Sequence, residues 1–191
     1  ASDMILKIHS DASYLSEAKA CSRAGGHFYL GDKPSNQPER GNGAILNKSK
    51  IMRNVMSSAA EAECGAVFEN TTDAVPLRTT LEEMGHPQPP TPIQVDNSTA
   101  YGFANKQIKQ QKSKSMDMRF YWIQDRVAQK QFQIYWRPGP TNLADYFTKH
   151  HAPSHHRRER ATYLHCINHL SLVLQGCVNP GTGLNPGLRL I

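Results

Sequence analysis

The chain has 191 residues, of which 38% are hydrophobic, and this suits one domain with an additional segment. Its formal net charge of +6 favours a polyanionic partner. The four cysteines form no CxxC pair, so a zinc ribbon and a disulfide framework are both disfavoured, and reduced intracellular thiols are expected. The absence of a long apolar run excludes a membrane span.

The first part of the chain predicts three strands joined by short loops. Residues 4–9 alternate and are rich in Ile and Leu, and glycines bound an apolar strand at 25–31. Turn formers and charges at 32–42 predict a hairpin loop, after which a third strand begins at 43–46 and resumes at 51–56. This order predicts an antiparallel meander.

A long helix is predicted after the meander. Ser57 or Ser58 is the expected N-cap, with Glu61 on the first turn at capping-box spacing. Gly85 is expected to end the helix, and Pro76 is expected to kink or restart it.

Strands alternate with helices in the second half. The predicted elements are a buried strand at 93–95, a helix at 98–105, an amphipathic helix at 116–127, a strand at 132–136 and a short helix at 143–149. This alternation favours an α/β fold with a mixed sheet and helices packed on both of its faces.

The composition changes after His150. Residues 151–191 are basic and histidine-rich, and a zinc site is one interpretation of their histidines and cysteines. Their spacing is unlike that of zinc modules, so a partly disordered basic tail is the favoured interpretation. Residues 4–150 are expected to form the domain, and residues 1–3 are expected to be added or linker residues.

Carboxylates recur at corresponding places in these elements. Asp11 and Asp96 follow the first and fourth predicted strands, Asp145 begins the last helix, and Glu61 and Glu63 lie on the first turns of the long helix. With the first strand central and the fourth beside it, the two strand-end aspartates share one edge of the sheet. The helices can bring a glutamate and Asp145 to the same place.

Four carboxylates in one pocket repel one another, so they stay ionised only around a cation. Oxygen ligands without Cys or His are typical of Mg²⁺ or Mn²⁺. Two such ions, bridged by Asp11, could activate a water and stabilise the leaving oxygen of a phosphodiester. The alternative is that the acids are ordinary surface charges.

Four stretches, SDASY, SSAAEAE, VDNSTA and NLADYFTK, resemble in this order the ribonuclease H domain of Ty1/copia-type retrotransposon polyproteins. SKSMDMRFYWIQDRV also resembles the family's segment between the third and fourth acids, and the resemblance covers residues 4–150. It implies a ribonuclease H-like fold with a five-stranded mixed sheet flanked by helices. It also implies an endonuclease that cleaves the RNA strand of RNA–DNA hybrids during reverse transcription.

The resemblance also implies a set of catalytic residues that hold two Mg²⁺ or Mn²⁺ ions: Asp11, Glu63, Asp96 and Asp145. Glu63 is preferred to Glu61 because family helices place the catalytic glutamate directly before small and apolar residues, here 64–67. Glu61 is then the capping residue, in agreement with its spacing from Ser58.

The sequence departs from the family pattern at three places. The long helix is poorer in Leu and Ala and contains Pro76, and Ser115 stands where the family usually has histidine. The loop before Asp145 lacks the histidine that cellular relatives keep, so turnover is expected to be slow or to rely on another group. A non-catalytic nucleic-acid-binding module is therefore the main alternative, although none of the acids is missing. An integrase or transposase is disfavoured because the helical glutamate comes second in the chain.

Substrate binding is predicted from positive charge and from polar residues near the acids. The expected nucleic-acid-binding residues are Ser13, Asn97, Ser98, Lys109, Lys112 and Lys114. The lysines, with Arg119 and Arg126, could equally form a solvated helix face, and Asn97 and Ser98 could simply cap a helix. The expected partners are an RNA–DNA hybrid and the reverse transcriptase of the same polyprotein, in the cytoplasm (in a retrotransposon particle) or the nucleus, with no membrane.

Overall fold

The structure is a computed structural model that describes residues 3–33, 43–107 and 117–164. The chain divides into two compact units, Ala1–His151 and Ala152–Ile191. Within the described ranges, no helix combines the length and the apolar character needed to cross a membrane.

The first unit is built on one five-stranded mixed sheet. Its strands are β1 (Ile5–Glu17), β2 (Cys21–Gly31), β3 (Ala44–Met52), β4 (Thr91–Val95) and β5 (Phe132–Trp136), in the order β3-β2-β1-β4-β5. The first three strands pair antiparallel, β4 pairs parallel to β1, and β5 pairs parallel to β4. The predicted sheet is confirmed, with β1 at its centre and β4 beside it.

The described helices are α1 (Ala59–Glu83), α2 (Ser98–Ala104), α3 (Asp117–Ala128) and α4 (Pro153–Tyr163), with 3₁₀ helices at Ala18–Ala20, Gly139–Thr141 and Leu143–Phe147. Ser58 is the N-cap of α1, because its hydroxyl accepts a hydrogen bond from Glu61 N at 3.1 Å. Gly85 follows the helix with φ +88°, a conformation that favours glycine.

Two features of the first unit refine the sequence-based expectations. Helix α1 runs across Pro76 as one element, without the restart that was one of the two predicted effects of this proline. Buried Ala74 and Leu81 anchor it on either side, and proline removes only one backbone donor. Strand β1 does not end before Asp11 but continues to Glu17, because residues up to Ser13 pair with β2.

The end of the chain also differs from the sequence-based expectation. The predicted helix at 143–149 is a 3₁₀ helix of five residues, Leu143–Phe147. Helix α4 lies in the segment that the sequence predicts to be a partly disordered basic tail. The rest of that tail, from 165 onward, and most of the predicted hairpin loop lie outside the described residues.

The core fixes the strands that carry the acids. Its main cluster joins β1, β2, α1, β4 and β5 and includes Leu6, Ile8, Phe28, Val67, Ile93, Val95, Phe132 and Ile134. Successive side chains of a strand point to opposite faces. Ser10 of β1 accepts a hydrogen bond from Asn70 of α1, whereas His9 accepts one from Leu143, so α1 and the Leu143–Phe147 helix cover opposite faces.

Candidate metal centre

Three carboxylates meet where β1, α1 and β4 come together. One oxygen from each of Asp11, Glu63 and Asp96 lies within 4.8 Å of the others. Asp11 and Glu63 are buried, at 4% and 5% exposure, and Asp96 is half-buried. We call these three side chains the acid cluster.

The register of the two parallel strands explains why the two aspartates meet. Ile8 of β1 lies opposite Ile93 of β4. Asp11 and Asp96 each follow that pair by three residues, so they occupy the same level of the sheet. The sequence-based pairing of these two acids therefore follows from the strand register, although Asp11 lies inside its strand.

A hydrogen bond joins Glu63 to β1, and the helix around it packs closely. A β-carbon added at Gly65 would lie 3.0 Å from the Met56 methyl and 3.1 Å from the Met52 sulfur, so glycine lets α1 pack closely against these two methionines. Glu63 Oε1 accepts a hydrogen bond from Ala12 N at 3.0 Å. Its other oxygen, Oε2, is buried and has no hydrogen-bond partner among the described residues.

Glu61, the other candidate on this helix, is bound elsewhere. Its Oε2 accepts hydrogen bonds from Ser57, from the backbone N at 2.6 Å and from the hydroxyl. The structure therefore places Glu63 in the acid cluster and Glu61 at the start of α1.

The acid cluster has an excess of negative charge. Burial raises the pKa of Asp11 to about 6, with Asp96 and Asp145 adding to the effect and a hydrogen bond from Thr148 opposing it. Burial, then the charges of Asp11 and Asp96, raise the pKa of Glu63 well above its ordinary value. Burial and Asp145 also raise the pKa of Asp96. An added cation would offset the repulsion among all three carboxylates and favour their ionised forms.

Asp145, the fourth predicted acid, is close to the cluster but does not belong to it. Its Oδ1 accepts a hydrogen bond from Lys149 Nζ, one turn further along. Its charge nevertheless raises the pKa of all three cluster carboxylates. The structure thus brings three of the four predicted acids together and leaves Asp145 beside them, held by Lys149.

No protein-family model matches the chain. It is 26% identical over 148 residues, 78% of the chain, to the retrovirus-related Pol polyprotein from transposon TNT 1-94 of Nicotiana tabacum, of whose length it spans 10%.

Solved structures give the same fold. The N-terminal ribonuclease H domain of a Mycobacterium tuberculosis protein matches 76% of this chain and 91% of its own with a TM-score of 0.54 and 14% identity. LC11-RNase H1 in complex with an RNA/DNA hybrid matches 74% of this chain and 92% of its own with a TM-score of 0.54 and 12% identity. The chain therefore has a ribonuclease H-like fold, and its sequence is similar to a retrotransposon Pol polyprotein. The fold predicted from the sequence is confirmed, and the similarity to a retrotransposon polyprotein agrees with the predicted resemblance.

Some residues that shape the centre of this ribonuclease H-fold domain were missed by the sequence analysis. Buried Thr148 donates a hydrogen bond to Asp11 Oδ2. A β-carbon at Gly25 would lie 2.6 Å from Thr148 Cγ2, so glycine in β2 lets the Leu143–Phe147 helix and Thr148 approach the sheet. Thr148 and Lys149 stand in the quoted stretch NLADYFTK, and their position there was the available signal.

The sequence also gave no indication of a role for His9, which is buried two residues before Asp11. Its Nδ1 accepts a hydrogen bond from Leu143 N at 2.9 Å, and its Nε2 lies 3.2 Å from the Tyr29 hydroxyl. Burial, followed by the nearby His27, lowers the pKa of His9 to about 3, so the ring is neutral at physiological pH. A histidine inside an apolar strand carries no local signal for this role.

Of the six predicted nucleic-acid-binding residues, the structure describes three: Ser13, Asn97 and Ser98. Asn97 caps α2, with Oδ1 accepting from Thr99 N at 3.0 Å and Ala100 N at 3.1 Å, while Ser98 is exposed next to it. Ser13 is half-buried, and its hydroxyl lies 2.5 Å from that of Ser16. The other three, Lys109, Lys112 and Lys114, lie outside the described residues.

The two arginines of the predicted basic strip pack over aromatic rings. Arg119 lies 5.5 Å from the centre of the Phe68 ring, and Arg126 lies 5.0 Å from that of Trp122. Both guanidinium groups therefore take part in packing around α3.

Proposed function

We propose that this domain is an endonuclease that hydrolyses the RNA strand of RNA–DNA hybrids with two divalent metal ions. The observation that carries the proposal is the acid cluster: Asp11, Glu63 and Asp96 lie together, and burial and mutual repulsion raise their pKa values. The similarity to a retrotransposon Pol polyprotein, and to a ribonuclease H solved with an RNA/DNA hybrid, supports the choice of substrate.

The residues present fit Mg²⁺ or Mn²⁺. The acid cluster offers only oxygen ligands, which suits hard divalent cations. The unpartnered Oε2 of Glu63 is a ligand atom that a cation would satisfy. Asp11, Glu63 and Asp96 would hold one ion, and Asp145 would join Asp11 at a second. When bound, such ions supply an activated water and neutralise charge on the leaving oxygen.

The chain's own groups orient the carboxylates. Thr148 fixes Asp11 through its hydroxyl, and Ala12 N fixes one oxygen of Glu63. The indole N of Trp136 donates to the backbone carbonyl of Asp96 at 2.8 Å and steadies the end of β4. Asp96 is the most exposed of the three, so the scissile phosphate would approach from its side.

The substrate-binding residues are proposed on chemistry and position. Asn97 and Ser98 directly follow Asp96, where they can reach the sugar–phosphate backbone and the 2′-hydroxyls of the RNA. Ser13 follows Asp11 by two residues, and Lys109, Lys112 and Lys114 supply positive charge for phosphates.

The biological setting is proposed in the same way. The similarity to a Pol polyprotein agrees with a Ty1/copia-type element and with a linked reverse transcriptase as partner. It also agrees with an intracellular location, in a cytoplasmic particle or the nucleus.

A catalytically weak nucleic-acid-binding module is the second candidate. The observation that favours it is the ion pair between Asp145 and Lys149. The lysine ammonium group binds a carboxylate that a second metal ion would need as a ligand.

A cleavage assay separates the two candidates. A hybrid with labelled RNA is incubated with Mg²⁺ or Mn²⁺ and the wild-type protein or its Asp96→Asn variant, with single-stranded RNA and duplex DNA as control substrates. We expect the wild type to cut only the hybrid, and Asp96→Asn to lose on the order of 10³-fold in rate. A wild type that binds the hybrid but leaves it intact with both metals would establish the binding module instead.

A further inference from the structure

Two hydrogen bonds, one buried and one partly buried, join β1 just before Asp11 to the loop just before Asp145. His9 Nδ1 accepts from Leu143 N at 2.9 Å, and the backbone carbonyl of Ser10 accepts from Asn142 Nδ2 at 2.8 Å. His9 and Asn142 are 7% and 4% exposed, so water does not replace these bonds without cost. We call them the β1–loop bonds.

Asn142 uses both ends of its amide in this connection. Its Oδ1 accepts from Ala144 N at 3.1 Å and caps the Leu143–Phe147 helix, while its Nδ2 binds β1. The helix that carries Asp145 is a 3₁₀ helix of only five residues, which has few hydrogen bonds of its own. Its position therefore depends on bonds to the sheet.

The donors around His9 determine its tautomer. The backbone N–H of Leu143 can only donate, so Nδ1 must carry a lone pair. The proton then sits on Nε2, which points at the hydroxyl oxygen of Tyr29 at 3.2 Å. The Tyr29 ring meets the His9 ring edge-on, with centroids 5.5 Å apart.

Ring packing also attaches the Leu143–Phe147 helix to the sheet. His27 of β2 lies beside His9, with ring centroids 6.3 Å apart. Phe147, at the end of the Leu143–Phe147 helix, stacks on His27 at 6.1 Å with an interplanar angle of 13°. Both ends of the helix are thus seated on neighbouring residues of the sheet.

We propose that His9 is a positioning residue for hybrid cleavage, which fixes Asp145 relative to Asp11 by accepting the Leu143 hydrogen bond. The proposal rests on the proposed function. Both aspartates lie two residues beyond the bonded pair, so a loss of this bond shifts one metal-binding carboxylate relative to the other. Shifts of about 1 Å in catalytic groups can lower rates by about 100-fold.

Two amide substitutions separate the two contacts of His9. In His9→Asn the side-chain oxygen can take the place of Nδ1 and accept from Leu143, but no atom replaces Nε2. In His9→Gln the amide reaches the place of Nε2 near Tyr29, and the acceptor for Leu143 is lost. The two variants therefore match in chemistry and differ in the contact that they keep.

The first measurement needs neither metal nor substrate. Hydrogen exchange is followed at the Leu143 amide, and the wild-type tautomer is read from ¹⁵N NMR of the His9 ring. We expect protonated Nε2 in the wild type, a protected amide in wild type and His9→Asn, and exchange at least about tenfold faster in His9→Gln. Equal protection in the two variants, or a proton on Nδ1, would overturn the proposal.

The second measurement connects the bond to function. Mn²⁺ affinity is measured by calorimetry, hybrid affinity in metal-free buffer, and kcat and KM in the cleavage assay. For His9→Gln we expect weaker Mn²⁺ binding and a kcat lower by about 10- to 100-fold, with hybrid affinity unchanged. His9→Asn should stay within about threefold of wild type in kcat.

The outcomes separate this proposal from the proposed function. A His9→Gln protein that melts earlier but keeps the wild-type Mn²⁺ affinity and kcat has lost only stability, and the positioning role is then wrong. A wild type that neither binds Mn²⁺ nor cleaves the hybrid overturns the proposed function, and the catalytic role of His9 with it. The exchange data on Leu143 then still decide whether His9 holds the loop.

Discussion

Two glutamates of helix α1, buried Glu63 and half-buried Glu69, lie in opposite surroundings. Glu63 lies among carboxylates, and its pKa is raised well above the ordinary value by burial and by Asp11 and Asp96. Two turns later, Glu69 accepts from Lys50 Nζ at 2.8 Å and from Lys48 Nζ at 3.2 Å. Burial acts to raise the pKa of Glu69, but the two lysines outweigh it and lower the pKa.

The difference agrees with a structural role for Glu69 and with the proposed metal-binding role of Glu63. Around Glu69 the protein supplies its own positive charges, and Lys48 also binds Asp73 at 2.7 Å. Near Asp11 and Asp96 lies the ammonium group of Lys149, which forms its ion pair with Asp145. A buried carboxylate without an opposite charge beside it destabilises the fold, and this supports the proposed metal site.

Neutralising each glutamate in turn should give opposite results. We expect Glu63→Gln to lower hybrid cleavage on the order of 10³-fold while leaving the metal-free protein as stable as the wild type or more stable. Glu69→Gln should cleave normally but lose about 0.5–1 kcal/mol of unfolding free energy. Chemical denaturation without metal and the cleavage assay test both variants. The comparison fails if Glu63→Gln still cleaves, or if Glu69→Gln loses cleavage in a folded protein.

The acid cluster should also make the metal-free protein less stable as the pH rises. Native Asp11, with its pKa raised from 3.8 to about 6, keeps a proton that the unfolded chain has already lost. Its contribution to stability is therefore full below pH 4 and is lost as the pH rises through 6, by about 3 kcal/mol.

The control for this pH effect is Asp11→Asn. Unfolding free energies of wild type and variant are measured from pH 4 to pH 7 in metal-free buffer, and their difference removes the contributions of other groups. We expect the unfolding free energy of the variant to increase relative to that of the wild type as the pH rises. A constant difference would mean that burial does not raise the pKa of Asp11.

Glu61 offers a third case on the same helix, with a smaller effect. Ser58→Ala removes the cap of α1 and should reduce stability by about 1 kcal/mol, as judged by chemical denaturation. Cleavage by the folded protein should not change, and Glu61→Gln should also cleave like the wild type. A loss of Mg²⁺-dependent cleavage in Glu61→Gln would reverse the roles that the structure gives to Glu61 and Glu63.

Local patterns in the sequence predicted the sheet and most of the acid cluster. Alternation and turn residues indicate the strands, and the run of small residues at 64–67 distinguishes Glu63 from Glu61 through the family resemblance. The extension of β1 past Asp11 depends on pairing with β2, which no local pattern of β1 contains. The contacts of His9 and Thr148 join residues far apart in the chain, so they become visible only in the folded domain.

The position of Asp145 at the metal centre is likewise not determined by local sequence alone. Its motif predicts a metal ligand, but its position also depends on competition between the acid cluster and Lys149, one turn away. Spacing in the sequence brings the lysine within reach without indicating which partner the carboxylate takes.

The central claim is that the acid cluster is a divalent metal site, and a paired thermal melt of wild type and Asp96→Asn tests it most directly. Both proteins are melted in chelator and in Mg²⁺. Because burial and Asp145 raise the pKa of Asp96, we expect the variant in chelator to melt at the wild-type temperature or up to about 4 °C higher. Mg²⁺ should raise the melting temperature of the wild type and leave that of the variant unchanged. A variant that melts several degrees lower in chelator, or that Mg²⁺ stabilises as much as the wild type, would contradict the claim and make Asp96 a structural residue.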